Sequence, residues 1–203
     1  MRIARIGSSD SAYPWKLVHS GLNLELWVWG HLPLLQRESV SICGSREATE
    51  SGLQLSEEFG KSAAESEYVV VSGYARGVDT RAHVGSMKAG GATIAVLAEG
   101  MDHFRMRRDL KPLVEEENFL AISPYPPQSR WTTWRAMDRN RLIVGLSKGL
   151  FVIEAGETGG TISAGNECLR QGKPLWVLEY SAETSSHLGT SCLSKRVVSR
   201  FGA

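Results

Sequence analysis

From Val40 onward, short apolar runs alternate with polar stretches of helical spacing, six times over. The runs Val40–Cys43, Tyr68–Ser72, Thr93–Leu97, Phe119–Ser123, Leu150–Ile153 and Leu175–Leu178 predict strands. Between them the spacing predicts helices over Glu50–Ser66, Val78–Ala89, Arg107–Glu117, Arg135–Ser147 and Thr161–Gln171. Leu55, Phe59 and Ala63, four apart, give the first of these helices an inward stripe. Alternation of this kind predicts an α/β fold of three layers, a mostly parallel sheet with helices on both faces.

The chain before this repeat reads differently. Tyr13-Pro14-Trp15 signals a turn, and Leu24–Gly30 alternates as a strand ended by Gly30, with Trp27 and Trp29 read as core. The expected division is an extension over residues 1–36 packed on the core, a core domain over 37–180 and a tail over 181–203, whose pattern predicts no element.

Composition narrows the class. At 203 residues the chain suits one core of ordinary size, and 42% hydrophobic residues with near-balanced charge describe a soluble globular protein. No run is apolar enough to span a membrane and no signal peptide opens the chain, so the cytoplasm is the expected location, with no membrane partner. Cys43, Cys168 and Cys192 are odd in number, distant and without a Cys-x-x-Cys pair, which suggests neither disulfides nor a metal site. A net charge of +1 argues against coating nucleic acid by bulk charge, yet leaves room for a local basic groove.

Ligands of such sheets bind beyond the carboxyl ends of the strands, where strand order reverses, so the residues following each strand carry the candidate chemistry. After the first comes Gly44-Ser45-Arg46, a turn whose N–H groups and guanidinium suit phosphate. After the second comes Gly73-Tyr74-Ala75-Arg76-Gly77-Val78-Asp79, another close-approach turn; Asp79 is read as the cap of the next helix rather than a catalyst, and Arg76 faces phosphate or solvent. After the third, Glu99, Asp102 and His103 are too close in sequence to favour one metal ion, whereas Arg105, Arg107 and Arg108 form a basic rim or a solvated loop. After the fourth, Trp131 and Trp134 sit among Arg130 and Arg135, the composition that holds single-stranded nucleic acid by stacking and by charge; the same tryptophans could instead pin the loop. Arg139-Asn140-Arg141 follows. After the fifth, Glu154 precedes Gly159-Gly160-Thr161, a second anion cradle at a helix start, and itself suits a ribose hydroxyl, a base edge or a site arginine.

Taken in order, Leu26–Gly30, Ile42–Arg46, Ser72–Asp79 with Ala82-His83, Tyr125-Pro126-Pro127, Arg139–Ser147 and Glu154-Ala155 resemble the DNA-processing protein A family, also called Smf. The resemblance covers most of Tyr13–Leu178 and implies a Rossmann-like domain that binds single-stranded DNA in a basic pocket, forms a homodimer and assists loading of the RecA recombinase in natural transformation. It implies no catalysis and no cofactor. Carried over by position, Gly44, Ser45, Arg46 and Arg141 meet phosphate, with the turn holding Gly73, Ala75, Arg76 and Gly77 and the loop Gly159-Gly160-Thr161 as walls. The sequence reads as a minimal or divergent member: Gly159–Ala164 replaces the family's Ser-Gly-Ser-x-x-Thr-Ala, and neither a preceding helical nor a following winged-helix domain is expected.

Two other functions fit the same residues. A phosphoribohydrolase-like enzyme would use Glu154 to support a cationic sugar, with Glu157 or Glu167 near a Gly-Gly-Thr loop. A nucleotide-sensing module would hold a small phosphorylated signal in the same pocket.

Overall fold

A computed structural model describes residues 3–156, 158–179 and 199–202. Among these residues nine strands form one sheet: β1 (Ala4–Ile6), β2 (Leu26–Gly30), β3 (Ser39–Gly44), β4 (Val69–Ser72), β5 (Thr93–Val96), β6 (Phe119–Ser123), β7 (Leu150–Ile153), β8 (Leu175–Glu179) and β9 (Ser199–Gly202). The helices are α1 (Trp15–His19), α2 (Glu50–Glu65), α3 (Val78–Lys88), α4 (Thr133–Asp138), α5 (Asn140–Leu146) and α6 (Gly160–Arg170). Spatial order is β1-β2-β6-β5-β4-β3-β7-β8-β9. All pairings are parallel except β1 with β2 and β2 with β6, so the alternating sequence does build the mostly parallel α/β sheet it predicts. Strand order runs outward in one direction from β3 through β4 and in the other from β7, and the β3–β7 seam is the switch point.

Successive strand residues feed opposite layers. Val69, Val71, Ile94 and Ile122 join Leu17 of α1, Leu142 and Leu146 of α5 and Ala164 of α6 on one face. On the other, Ile42, Val70 and Ile153 meet Ala63 of α2 and Ala82 of α3. The described part of the tail holds β9, which pairs in parallel with β8. At the other edge β2 pairs with β6 from Trp27 opposite Ser123 to Gly30 opposite Leu120, which brings residues before Gln36 into the sheet itself.

Two predicted helices differ. Over Arg107–Glu117 there is a turn and a short 3-10 segment, Lys111–Leu113, in place of a helix. Pro112 lies within it, three consecutive glutamates would sit at the unfavourable end of a helix dipole, and the Asn118 side chain ties Glu115 N–H and Leu113 C=O into a local turn. Over Arg135–Ser147 the helix divides at Arg139, whose carbonyl accepts from both Leu142 and Ile143 N–H. The break turns Arg139 and Asn140 inward together, 5% and 4% exposed.

Polar side chains within the core fix where these helices sit. Ser39 Oγ donates to Leu146 C=O (2.7 Å) and Ser41 Oγ to Ile143 C=O (3.0 Å), which lashes α5 to β3. On α3, His83 is fully buried; Nδ1 bonds the Thr93 hydroxyl, which donates to Val70 C=O, and Nε2 has no hydrogen-bond partner among the described residues. Burial, with Arg107 and Arg139 adding to it, pulls the His83 imidazole down to about 3.

Candidate functional site

At the carboxyl ends of the central strands the turns after β3, β4 and β7 converge. Val78 N–H donates to Ser45 C=O (3.2 Å), and Gly77, at φ 79°, has room for no Cβ because one would lie 2.4 Å from Ser45 C=O. The two turns are thereby locked together. Asn140 Nδ2 donates to Gly160 C=O (2.9 Å) and so draws the glycine loop in from the opposite side. Gly159, the N-cap of α6, offers no side chain to the first-turn N–H groups of that helix.

These turns enclose a cavity of about 490 Å³. Of the sequence-derived candidates, Gly44, Ser45, Arg46, Ala75, Arg76, Asp79, Trp131, Arg139, Asn140, Gly159, Gly160 and Thr161 line it. A second cavity of about 460 Å³ lies beside it, lined by Gly73, Tyr74, Glu99, His103, Arg105 and Arg107 among others. Arg46, Ala75, Arg76, Trp131 and Arg139 line both. The Arg46 guanidinium sits 5.5 Å from the Trp131 ring centre, a cation–π clasp between the two spaces.

Arg139 is the buried member of this group. Gly73 makes room for it, since a Cβ there would stand 2.0 Å from Nη1. Among the described residues its one ion-pair partner is Asp79, with Nη2 and Oδ2 4.0 Å apart, and Nε and Nη1 have no hydrogen-bond partner there. Burial pushes the Asp79 carboxyl up and pulls Arg139 down, each opposed by the other's charge. The guanidinium remains protonated because its ordinary value lies so far above neutrality. Buried donors without partners are costly, and an anion is the natural group to satisfy them.

Acidic groups temper the site. Glu47, which lines the first cavity, pairs with Arg76 at 2.7 Å; both are exposed. Asp79 differs from its expected part: Gly77 occupies the N-cap of α3, and Asp79 Oδ2 instead accepts from Ala75 N–H in the preceding turn (3.3 Å).

A model of the DNA recombination-mediator protein A family matches residues 4–200. The chain belongs to that family. It is 32% identical over 156 residues to the DNA processing protein DprA of Bacillus subtilis, covering 75% of this chain and 52% of that protein. To DprA of Streptococcus pneumoniae it is 32% identical over 173 residues, covering 83% and 60%. The chain thus spans just over half the length of these curated relatives. The X-ray structure of the S. pneumoniae protein superposes with a TM-score of 0.88 at 27% identity, over 99% of this chain and 71% of that one. DNA processing protein A from Helicobacter pylori, a structure solved for its single-stranded DNA binding mode, shares the fold with a TM-score of 0.79 at 22% identity, over 98% and 91%.

Three residues expected at the site lie outside both cavities, two from the family resemblance and Trp134 from the composition of its loop. Arg141 is turned away: Nε and Nη2 lie 3.2 Å from the carboxylate of Asp138, which also accepts from the Tyr125 hydroxyl. Gly77 backs the wall without facing the cavity. Trp134 stands 66% exposed on α4, its ring 6.5 Å from that of Tyr125. Glu154, buried, accepts from Thr49 N–H (2.9 Å) and from the Thr49 hydroxyl, so its carboxylate serves the start of α2. Glu167 pairs with Arg170, and Glu157 lies outside the described residues. Sequence reasoning missed Glu47, Thr133, Met137 and Thr158 as lining residues, because only the break at Arg139 and the loop closure bring them together.

A third cavity, about 450 Å³, opens at the amino ends of the strands and is also basic, with Lys16, Lys148 and Lys173 in its wall. Lys173 Nζ donates to the carbonyls of Val144, Gly145 and Ser147 at 2.7–2.9 Å, and Lys16 Nζ to that of Arg37. Burial pulls the Lys173 ammonium down to about 8.

Proposed function

We propose that the chain is a single-stranded DNA-binding protein that acts in DNA processing, holding the backbone in the first cavity and passing the strand across the Arg46–Trp131 clasp toward the second. The observation that carries this reading is Arg139, a buried guanidinium that lines both cavities and has two donors without a partner among the described residues. A phosphate entering there accepts from Arg139, from Arg46 and from the uncapped N–H groups of α6. Trp131, with Trp134 further out on α4, offers rings for bases to stack on. Family membership, and the H. pylori relative whose structure concerns single-stranded DNA, support the same ligand. Membership also suggests the finer proposals: a homodimer, assistance to RecA, and work in the cytoplasm during DNA uptake.

The role is binding without catalysis. Glu154, the carboxylate best suited to glycosidic hydrolysis, is engaged by Thr49 and is not among the residues lining the first cavity.

Fluorescence anisotropy of labelled oligothymidine tests the proposal. With about three phosphates held, log affinity should fall with log salt at a slope of about −2, and Arg46→Ala should flatten that slope by about 0.7. A slope near zero, or complete displacement by mononucleotide, would sink the DNA reading and leave a sensor of small phosphorylated ligands.

A further inference from the structure

The second cavity differs from the first in one respect: it is lined by a glutamate, Glu99, that makes no ion pair among the described residues. Glu99 follows β5 in a loop fixed at both of its ends, where Glu99 C=O accepts from Ser123 Oγ (2.7 Å) and Gly100 N–H donates to Ser129 C=O (2.8 Å). Glu99 lines the cavity, half-buried, and its carboxylate makes no ion pair or hydrogen bond among the described residues. Arg105 and Arg107 line the same cavity, the latter oriented by Tyr74 C=O at 3.0 and 3.2 Å. Trp131 supplies an aromatic face, 46% exposed.

We propose that this cavity is a base subsite in which Glu99 selects guanine. The inference rests on the DNA reading above. A carboxylate only accepts hydrogen bonds, and its two oxygens match two adjacent donors. Guanine alone among the four bases offers that pair, N1–H and the N2 amino group on one edge, with O6 and N7 on the neighbouring edges as acceptors for guanidinium groups. Thymine sets one N–H between two carbonyl oxygens, which a carboxylate repels. Adenine and cytosine offer an amino group with no second N–H beside it, so each gives a carboxylate one hydrogen bond where guanine gives two. Unstacked bases of a single strand expose this edge, and stacking on Trp131 leaves it free to be read.

The test compares labelled oligothymidine with oligomers carrying one guanine, hypoxanthine, adenine or cytosine, on the wild-type chain and on Glu99→Gln. One guanine should tighten binding about tenfold over thymine, and hypoxanthine, which lacks only the N2 amino group, should lose most of that gain. In Glu99→Gln the guanine-to-thymine ratio should fall to within about twofold. If all oligomers bind alike with salt-sensitive affinity, the guanine inference is overturned and the DNA reading stands. A ratio preserved in Glu99→Gln, with every oligomer tightened equally, would mean that Glu99 only moderates the arginines, and overturns the inference as well. Absence of binding to any oligomer overturns both.

Discussion

Buried or half-buried positive charge lies at both ends of the sheet, but in different states. At the amino ends, Lys16 and Lys173 donate to backbone carbonyls, and Lys173 closes the last turn of α5 as a cap would. At the carboxyl ends, Arg139 faces, among the described residues, one distant carboxylate and has two donors without a partner. Burial of a cation therefore does not by itself mark a site; what sets Arg139 apart is that it lines both cavities with donors left unpaired among the described residues. The lysines are part of the structure's own hydrogen bonding, whereas the arginine is completed by something from outside.

Swapping losses between the two ends is the strongest way to break this contrast. Arg139→Ala, made with Asp79→Asn so that no lone buried carboxylate remains, should weaken oligothymidine binding by about 100-fold. Lys173→Ala should leave binding within about twofold while lowering unfolding free energy in urea by about 3 kcal/mol. The reverse pattern would mean that the third cavity is the site.

A pH titration sharpens the contrast, because His83 is a buried base held neutral. Its folded value of about 3 lies below the ordinary 6.5, so the unfolded chain binds the extra proton between those values. The His83 share of stability is full above pH 6.5 and falls as pH drops, by about 2 kcal/mol at pH 5, with the raised Asp79 carboxyl acting in the opposite direction. Urea midpoints at pH 7 and pH 5 measure this, and a flat profile would show that His83 accepts a proton in the folded state.

Smaller effects probe the rim of the first cavity. Glu47→Gln releases Arg76 for phosphate and should tighten oligothymidine binding about threefold at low salt, the benefit shrinking as salt rises. Arg141→Ala should change affinity by less than about twofold, since Asp138 already holds that guanidinium. An Arg141 effect as large as that of Arg139 would place the phosphate on the other side of α5.

The sheet was legible because its strands are buried on both faces and read as continuous apolar runs; Val69, Val70 and Val71 are the plainest case. Arg107–Glu117 was misleading because the polar content suited a helix, while Pro112 and the hold of Tyr74 on Arg107 favoured a turn. The glycine turns after β3, β4 and β7 were legible as cradles, since turn chemistry is local. The choice between Arg139 and Arg141 was not, because it depends on a helix break at Arg139 and on Asp138 drawing Arg141 aside. Glu154 was visible as an acid at a strand end, but its partner Thr49 is 105 residues away.

That last separation governs when the site comes into being. Chains emerge from the ribosome with the N-terminal part first. The turn Gly44–Arg46 is therefore made long before Arg139, and longer still before the loop at Gly159–Thr161. Until β7 inserts beside β3, the early turn has no back wall and no buried cation to share. A half-made chain is thus blind to the ligand, and recognition waits for the whole sheet to close.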